Sequence, residues 1–245
     1  MRSRGCMTSS QTGSNRLIQP WQGELWLGAD YALFKGLSGH ATQHRHYAHQ
    51  CISVLQGDRA GPWRWIESMR EHEADMPGAV VLAVYAEPLS FSLGSLHALA
   101  EAAPVSLPAL AEAMQVIPRQ PIPGRLQAAL LRMDEQLQGK VSAADLACHV
   151  HTSQSHLQRL FDTRLGLSIR RMVLWRRLRL ALRLAIQGYS LTEAAHASGF
   201  ADSAHLSRTL RDMFGISGRQ SLRHLHLRLL PPFHPDDVAE VDPLA

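Results

Sequence analysis

The chain is poor in cysteine, has no long apolar run and has little net charge, and each shortage excludes a class of protein. Cys6, Cys51 and Cys148 are the only cysteines in 245 residues. They are odd in number and fall in no CxxC spacing, which argues against a disulfide framework or a zinc ribbon and fits a reducing cytoplasm. No apolar run approaches the roughly 20 residues that span a bilayer, so no membrane association is expected. The opening MRSRGCMTSSQTGSN is basic without an apolar segment behind it, so it does not read as a secretory signal. GLSG and GDRAG are turns rather than phosphate-binding loops, and no nucleophile stands beside a base. An enzyme is therefore not expected, and neither is a cofactor. With 45% hydrophobic and 19% charged residues the composition is globular.

Net charge is only +4, but it is unevenly spread. Residues 121–225 hold 15 Lys/Arg against 7 Asp/Glu, whereas residues 1–120 hold 9 against 10 and the last twenty hold 1 against 4. One basic region between neutral and acidic ones points to a polyanion partner for that region alone.

Residues 1–15 are polar and short-sided and are expected to lack fixed structure. From 16 to 117 the signals are first those of short strands: alternation in ELWLG and WRWIE, the apolar run AVVLAVYA, and turn signals at Gly36, Gly39, Gly57, Gly61-Pro62 and Pro77-Gly78. Two helices, SLHALAEAA and SLPALAEAMQVI, follow, each opened by a serine suited to N-capping. Three prolines and a glycine in IPRQPIPGR place a linker at 118–124. Residues 125–228 read as helices throughout, and 229–245 as an acidic, Pro-rich tail.

Within the helical region one short pattern occurs twice. HLQRLFDTRLGLS from His156 and HLSRTLRDMFGIS from His205 align at an offset of 49, matching Leu157 with Leu206, Arg159 with Arg208, Gly166 with Gly215 and Ser168 with Ser217. Leu157 and Phe161, like Leu206 and Leu210, are four apart and share a buried face. Upstream of each lies a shorter helix, SAADLACHV from Ser142 and SLTEAAHAS from Ser190. Helix, short turn, helix is the helix-turn-helix arrangement. Gly199 supplies the left-handed turn residue in the second copy; His151 stands nearest that place in the first.

The opposite faces display Gln154, Ser155, Gln158 and Arg159 in copy one, and Ser203, Ala204, Ser207, Arg208 and Arg211 in copy two. Arginine pairs with guanine and glutamine with adenine through two bonds each, worth about 1–3 kcal/mol of discrimination per contact. Between the copies SIRRMVLWRRLRLALRLAIQG reads as a long amphipathic helix with Met172, Val173, Leu174, Leu178, Ala181, Leu182 and Ala185 as its apolar stripe. At 1.5 Å per residue it spans roughly 30 Å, near the roughly 34 Å of one duplex turn. Arg170, Arg171 and Arg183 on it are read either as phosphate contacts or as solvated surface.

These residues carry a resemblance. HLQRLF, then Gly166 and Ser168, Arg177-Leu178 with Ala181, Gly199-Phe200, and H-L-x-R-x-L ahead of Gly215 resemble the DNA-binding domain of the AraC/XylS family of bacterial transcription regulators. Leu210 stands where that family usually has phenylalanine, Gly218 where a proline is usual, and Ala204 lacks a hydrogen-bonding side chain. The resemblance implies sequence-specific binding of double-stranded DNA, a cytoplasmic homodimer joined through the helices around SLPALAEAMQVI, a small-molecule effector and contact with RNA polymerase.

The N-terminal half carries QHRHYAHQ, residues 43–50, with His44 and His46 placed on one side of a strand and His49 on the other. Gly39, His44, His46, Gln50 and Gly57 resemble the first cupin motif, with Gln50 where metal-binding cupins have glutamate. Such a sensor barrel is also implied by the family resemblance. MPGAVVLAVYAEPLSFSLG offers no further histidine before His97, so His44 and His46 are assigned to effector binding and no metal is assigned. A metal-ion-responsive regulator using His44, His46 and His49 is the alternative; a cupin-type metalloenzyme fused to a DNA-binding domain is a third. Cys51 reads as a small core residue. The expected fold is α+β in two domains: an all-β cupin-like barrel with closing helices, then an all-α domain of two helix-turn-helix units joined by a long helix.

Overall fold

The computed structural model describes residues 20–57, 59–102, 105–216 and 222–231. The expectations for residues 1–15, Cys6, Ser217, Gly218 and most of the acidic tail fall outside these.

Strands β1 (Gln22–Leu27), β2 (Tyr31–Leu37), β4 (His49–Gln56), β5 (Arg59–Ala60), β6 (Arg64–Ile66) and β8 (Val80–Ala86) build a mainly antiparallel sheet; β3 (His40–His44) and β7 (His72–Asp75) pair separately. β8 lies between β2 and β4. With both neighbours present and both faces covered, its sequence is a continuous apolar run rather than an alternation, and Val81 to Val84 are fully buried. Gly36 is not a turn residue. It lies in β2 opposite Gly23 of β1, and a Cβ on either would strike the backbone of the other strand, so both positions are limited to glycine by close approach.

Helices α1 (Leu93–Ala102) and α2 (Leu107–Val116) follow. The serine caps differ from the sequence reading. α1 starts two residues before Ser95, and it is Ser92 whose hydroxyl accepts from the Ser95 amide; Ser106 precedes α2 without a side-chain cap bond, Pro108 setting the first turn instead. α2 buries Leu107, Leu110, Ala111 and Met114 in a core shared with Leu33, Leu82 and Phe91.

After the proline-rich coil come α3 (Gly124–Glu135), α4 (Ala143–His149), α5 (Gln154–Leu165), α6 (Ile169–Ile186), α7 (Leu191–Ala197) and α8 (Ser203–Phe214). Side-chain caps set most of the starts: Ser142, Ser153, Ser168, Ser190 and Asp202 each accept from a backbone amide three residues on, and Ser190 with Glu193 forms a full capping box. The buried face of α6 is Ile169, Met172, Trp175, Leu178, Ala181 and Leu184. The expected stripe was rotated from this: Val173, Leu174, Leu182 and Ala185 are only half-buried, because the face is set by Trp175, whose indole reaches across to the β domain.

Two further departures concern how the halves meet. Leu225–Leu229, expected at the end of the helical domain and the start of a tail, form β9, which pairs in parallel with β1 at the edge of the N-terminal sheet. Tyr47 and Ala48 of the β domain belong to the same apolar core as Leu126, Leu157, Met172 and Leu206. The two halves are therefore joined by a strand pairing and a shared apolar core as well as by the proline-rich coil.

Candidate nucleic-acid interface and the seam behind it

In α5, Gln154, Ser155 and Arg159 are exposed and Gln158 is half-exposed; in α8, Ala204, Arg208 and Arg211 are exposed, with Ser203 and Ser207 half-exposed. Leu157, Phe161 and Leu165 on one helix, and Leu206, Leu210 and Met213 on the other, anchor the reverse faces. The polar side chains are held by their own helices: Arg159 Nη2 donates to His156 Nδ1 at 3.2 Å, Gln158 Nε2 to Asp162 Oδ1 at 3.0 Å, and Ser207 Oγ to the Ser203 carbonyl at 2.8 Å.

The turns ahead of these helices adopt the backbone that the sequence suggests. His151 has φ 50° and Gly199 φ 82°, each in the left-handed region. A Cβ at Gly199 would strike the Leu137 carbonyl oxygen and crowd the Arg177 guanidinium. Arg177 itself bonds the Leu137 and Gly139 carbonyls, Nε at 2.9 Å and Nη2 at 2.6 Å. The arginines of α6 are thus partly structural: Arg176 pairs with Asp134 at 2.8 Å, and Arg179 belongs to the seam. Arg170 is exposed and Arg171 half-buried.

That seam is built around Glu87. Its carboxylate accepts from Trp175 Nε1 at 2.9 Å and pairs with Arg179 Nε at 3.2 Å, with side-chain exposures of 6% for Glu87 and 12% for Arg179. Arg179 Nη2 also donates to the Gly28 and Ala29 carbonyls, both at 2.6 Å. A buried ion pair costs desolvation that its attraction roughly offsets, so its main consequence is that losing one partner leaves the other charge uncompensated. At the far end of α8 the Gly215 carbonyl accepts from Thr42 N at 3.1 Å, and Phe214 stacks on both His46 and Trp175 with ring centroids 5.1 and 6.0 Å apart. Between the halves lies a cavity of about 360 Å³, walled by Phe34, Ile52 and Tyr85 from one side and Trp175, Leu182 and Phe214 from the other.

The histidines stand at this cavity in an arrangement that QHRHYAHQ did not reveal. They do not share a strand: β3 ends at His44, residues 45–48 turn, and β4 starts at His49. His44 and His46 converge nevertheless, with ring centroids 5.7 Å apart, and the third ring is His72, at 4.1 Å from His44 and 4.9 Å from His46. His72 is the register partner of His44 across the β3–β7 pair. Looking downstream, among the apolar residues of β8, missed it; the signal was EHEAD between two turns, a short strand too polar to be read as one. His49 turns away, its Nδ1 accepting from Ser68 N at 3.1 Å. His44 and His72 line the cavity. Burial, chiefly, pushes His46 down to about 3 and His44 down to about 4, and lowers His72, so all three rings are neutral near pH 7. Cys51 is buried, as expected, and burial pushes its thiol up.

The family match falls in the helical half. Residues 146–224 match a helix-turn-helix domain family. The chain is 34% identical over 96 residues to the HTH-type transcriptional regulator GbdR of Pseudomonas aeruginosa, covering 39% of this chain and 26% of that protein. It is 30% identical over 86 residues to the probable transcriptional regulator LumQ of Photobacterium leiognathi, covering 35% of each. The matches thus span about a quarter to a third of the length of these relatives. A crystal structure of a transcriptional regulator with an AraC-type DNA-binding domain, from Chromobacterium violaceum, is 32% identical, with a TM-score of 0.37 over 39% of this chain and 86% of that one. Among the described residues no helix is long and apolar enough to cross a membrane. From the paired helices, their caps and the family match, residues 146–224 form a helix-turn-helix domain.

Proposed function

We propose that the chain is a sequence-specific DNA-binding transcription regulator rather than an enzyme, and that its N-terminal β domain takes a small organic effector with an apolar body. The observation that carries the reading is the pairing of two exposed, arginine-bearing helices with a cavity walled by both halves of the molecule. α5 and α8 enter the major groove at successive turns. The 18 residues of α6 span about 27 Å at 1.5 Å each, a strut of the right order for one duplex turn. Phosphate contacts supply most of the affinity, and the residues displayed from Gln154 to Arg159 and from Ser203 to Arg211 supply the sequence preference.

The effector acts through the wall it touches. Trp175, Leu182 and Phe214 of α6 and α8 line the same space as the β-domain residues, so a molecule bound there favours one arrangement of the halves over another, and that difference in affinity is what shifts DNA binding. The volume falls within the range of small-molecule sites.

A DNA sequence selected by the full chain from a random duplex pool provides the test. Arg159→Ala and Arg208→Ala are each expected to weaken binding to it by about 1–3 kcal/mol, roughly 5- to 150-fold, with the unfolding midpoint unchanged. Unaltered affinity in both variants sinks the groove assignment. For the effector, a thermal-shift screen of small organic compounds is expected to yield hits lost in Ala32→Trp, which fills the cavity.

A further inference from the structure

The three rings at the seam share a pattern of bonding that the DNA-binding reading does not use. His44 Nδ1 lies 2.7 Å from the Thr42 carbonyl, His46 Nδ1 2.9 Å from the Ala48 carbonyl, and His72 Nδ1 2.9 Å from the Arg70 carbonyl. A carbonyl only accepts, so each neutral ring carries its proton on Nδ1 and turns Nε2 outward as a lone pair. Backbone carbonyls that fix the tautomer in this way are the usual outer support of metal-ligating histidines.

What faces the three Nε2 atoms is unusual for a plain core. His72 Nε2 is buried with no hydrogen-bond partner among the described residues. His46 Nε2 faces Gln50 Oε1 at 3.2 Å, while the Gln50 amide nitrogen is 3.1 Å from the Tyr85 hydroxyl. His46 thus has an oxygen at each ring nitrogen and one proton for the two. Either the Gln50 amide is turned over and Tyr85 donates to its oxygen, or a cation sits between. One nitrogen from each of His44, His46 and His72 lies within 4.8 Å of the other two. Tetrahedral coordination at about 2.0–2.1 Å requires about 3.3 Å between ligand nitrogens, a closure of ångström size for two rings on short strands and one on the turn between β3 and β4.

We propose that His44, His46 and His72 form a site for a first-row divalent transition metal of the zinc class, placed where the second reading helix rests on the β domain. Three neutral imidazoles suit zinc, cobalt, nickel or copper rather than calcium or magnesium. His44 and His72 border the cavity, so the fourth coordination position opens into it, as in metal sites that accept an exogenous ligand. The ligands touch the DNA-binding half directly: Phe214 stacks on His46, and a Cβ on Gly215 would crowd His44 Nδ1. Metal binding therefore stiffens the contact between α8 and the β domain. The proposal does not rest on the effector reading, and its test uses no DNA.

The full chain, in a Cys6→Ser, Cys148→Ser background so that these thiols do not compete, is stripped with chelator and titrated with zinc alone against a chromophoric competitor, and separately with cobalt alone. One equivalent should bind, with visible cobalt bands of a low-coordinate nitrogen site and a rise in unfolding temperature with zinc. His72→Gln should weaken zinc binding at least 100-fold, as should His44→Gln, while His49→Gln, on the neighbouring ring that turns away, binds as the parent does. Circular dichroism confirms that each variant is folded. No binding by the parent overturns the site and leaves Gln50 simply turned over; binding that survives His72→Gln, or is lost equally in His49→Gln, overturns the assignment of ligands.

Discussion

Gly166 and Gly215 end the two reading helices in the same left-handed conformation, φ 68° and 66°, yet what surrounds them differs. A Cβ added at Gly166 meets open space, whereas one at Gly215 would strike the Thr42 carbonyl and crowd His44. The same short pattern has thus been placed in two settings. The first unit, α4 and α5, ends at Gly166 in open space; the second, α7 and α8, ends against the β domain through Thr42 and His46, with Phe214 also stacked on Trp175 of α6. Repetition at the level of sequence gives two exposed, arginine-bearing helices, and asymmetry at the level of packing leaves only the second in contact with the cavity wall. Of the two helices, α8 is the one that packs against both the helical core and the β domain.

The largest expected effect comes from cutting the seam. Glu87→Ala leaves Arg179 buried without its carboxylate and should cost about 3–5 kcal/mol of stability by chemical denaturation. Amide exchange should rise in α8 well before α5; uniform exchange would erase the distinction between the units. Next is the glycine pair. Gly166→Ala should cost about 1–2 kcal/mol, the price of a side chain in the left-handed region. Gly215→Ala should cost more, because the atom it meets is backbone and cannot swing aside. Equal losses in thermal unfolding would show that α8 does not rest on β3. In the turns the change runs the other way: His151→Gly should gain up to about 1 kcal/mol by removing a left-handed histidine at φ 50°.

The smallest expected effect is on acid. The side chain of Gln136, with Arg132, holds Asp145 of the first unit below the usual carboxylate range, and the Ser190 hydroxyl and amide do the same for Glu193 of the second. Both groups release protons more readily folded than unfolded. Their contribution is therefore present above the ordinary carboxylate range and lost as pH falls through it. Both are exposed, so the urea midpoint should drop only slightly through this window, and Asp145→Asn or Glu193→Gln should flatten it.

The reading helices were legible because their pattern is local. Leu157, Phe161 and Gly166 state a buried face and its end within ten residues, and the copy at 49 residues' distance matches them with Leu206, Leu210 and Gly215. Trp175 shows the limit: its periodicity on α6 was ambiguous among many leucines, and the choice of face fell to Glu87, 88 positions away. The histidine cluster failed for the same reason. His44 and His46 advertise themselves by spacing, but the third ring comes from β7 through a register that no pattern in β7 announces, and His49, nearer in sequence, points elsewhere.

What the amino-acid order settled alone is whatever depends on the few residues either side of a position: the caps at Ser142 and Ser190, the left-handed turns at His151 and Gly199, the apolar run of β8 and the two arginine-bearing helices. Tertiary structure alone decided which of those helices leans on the β domain, that β9 returns to the edge of β1, and that His72 completes a triad with His44 and His46. Hydrogen bonding along a helix and the steric limits of φ act over a turn or less, whereas the pairing of distant segments is chosen by total burial and complementary shape, which no short stretch of sequence contains.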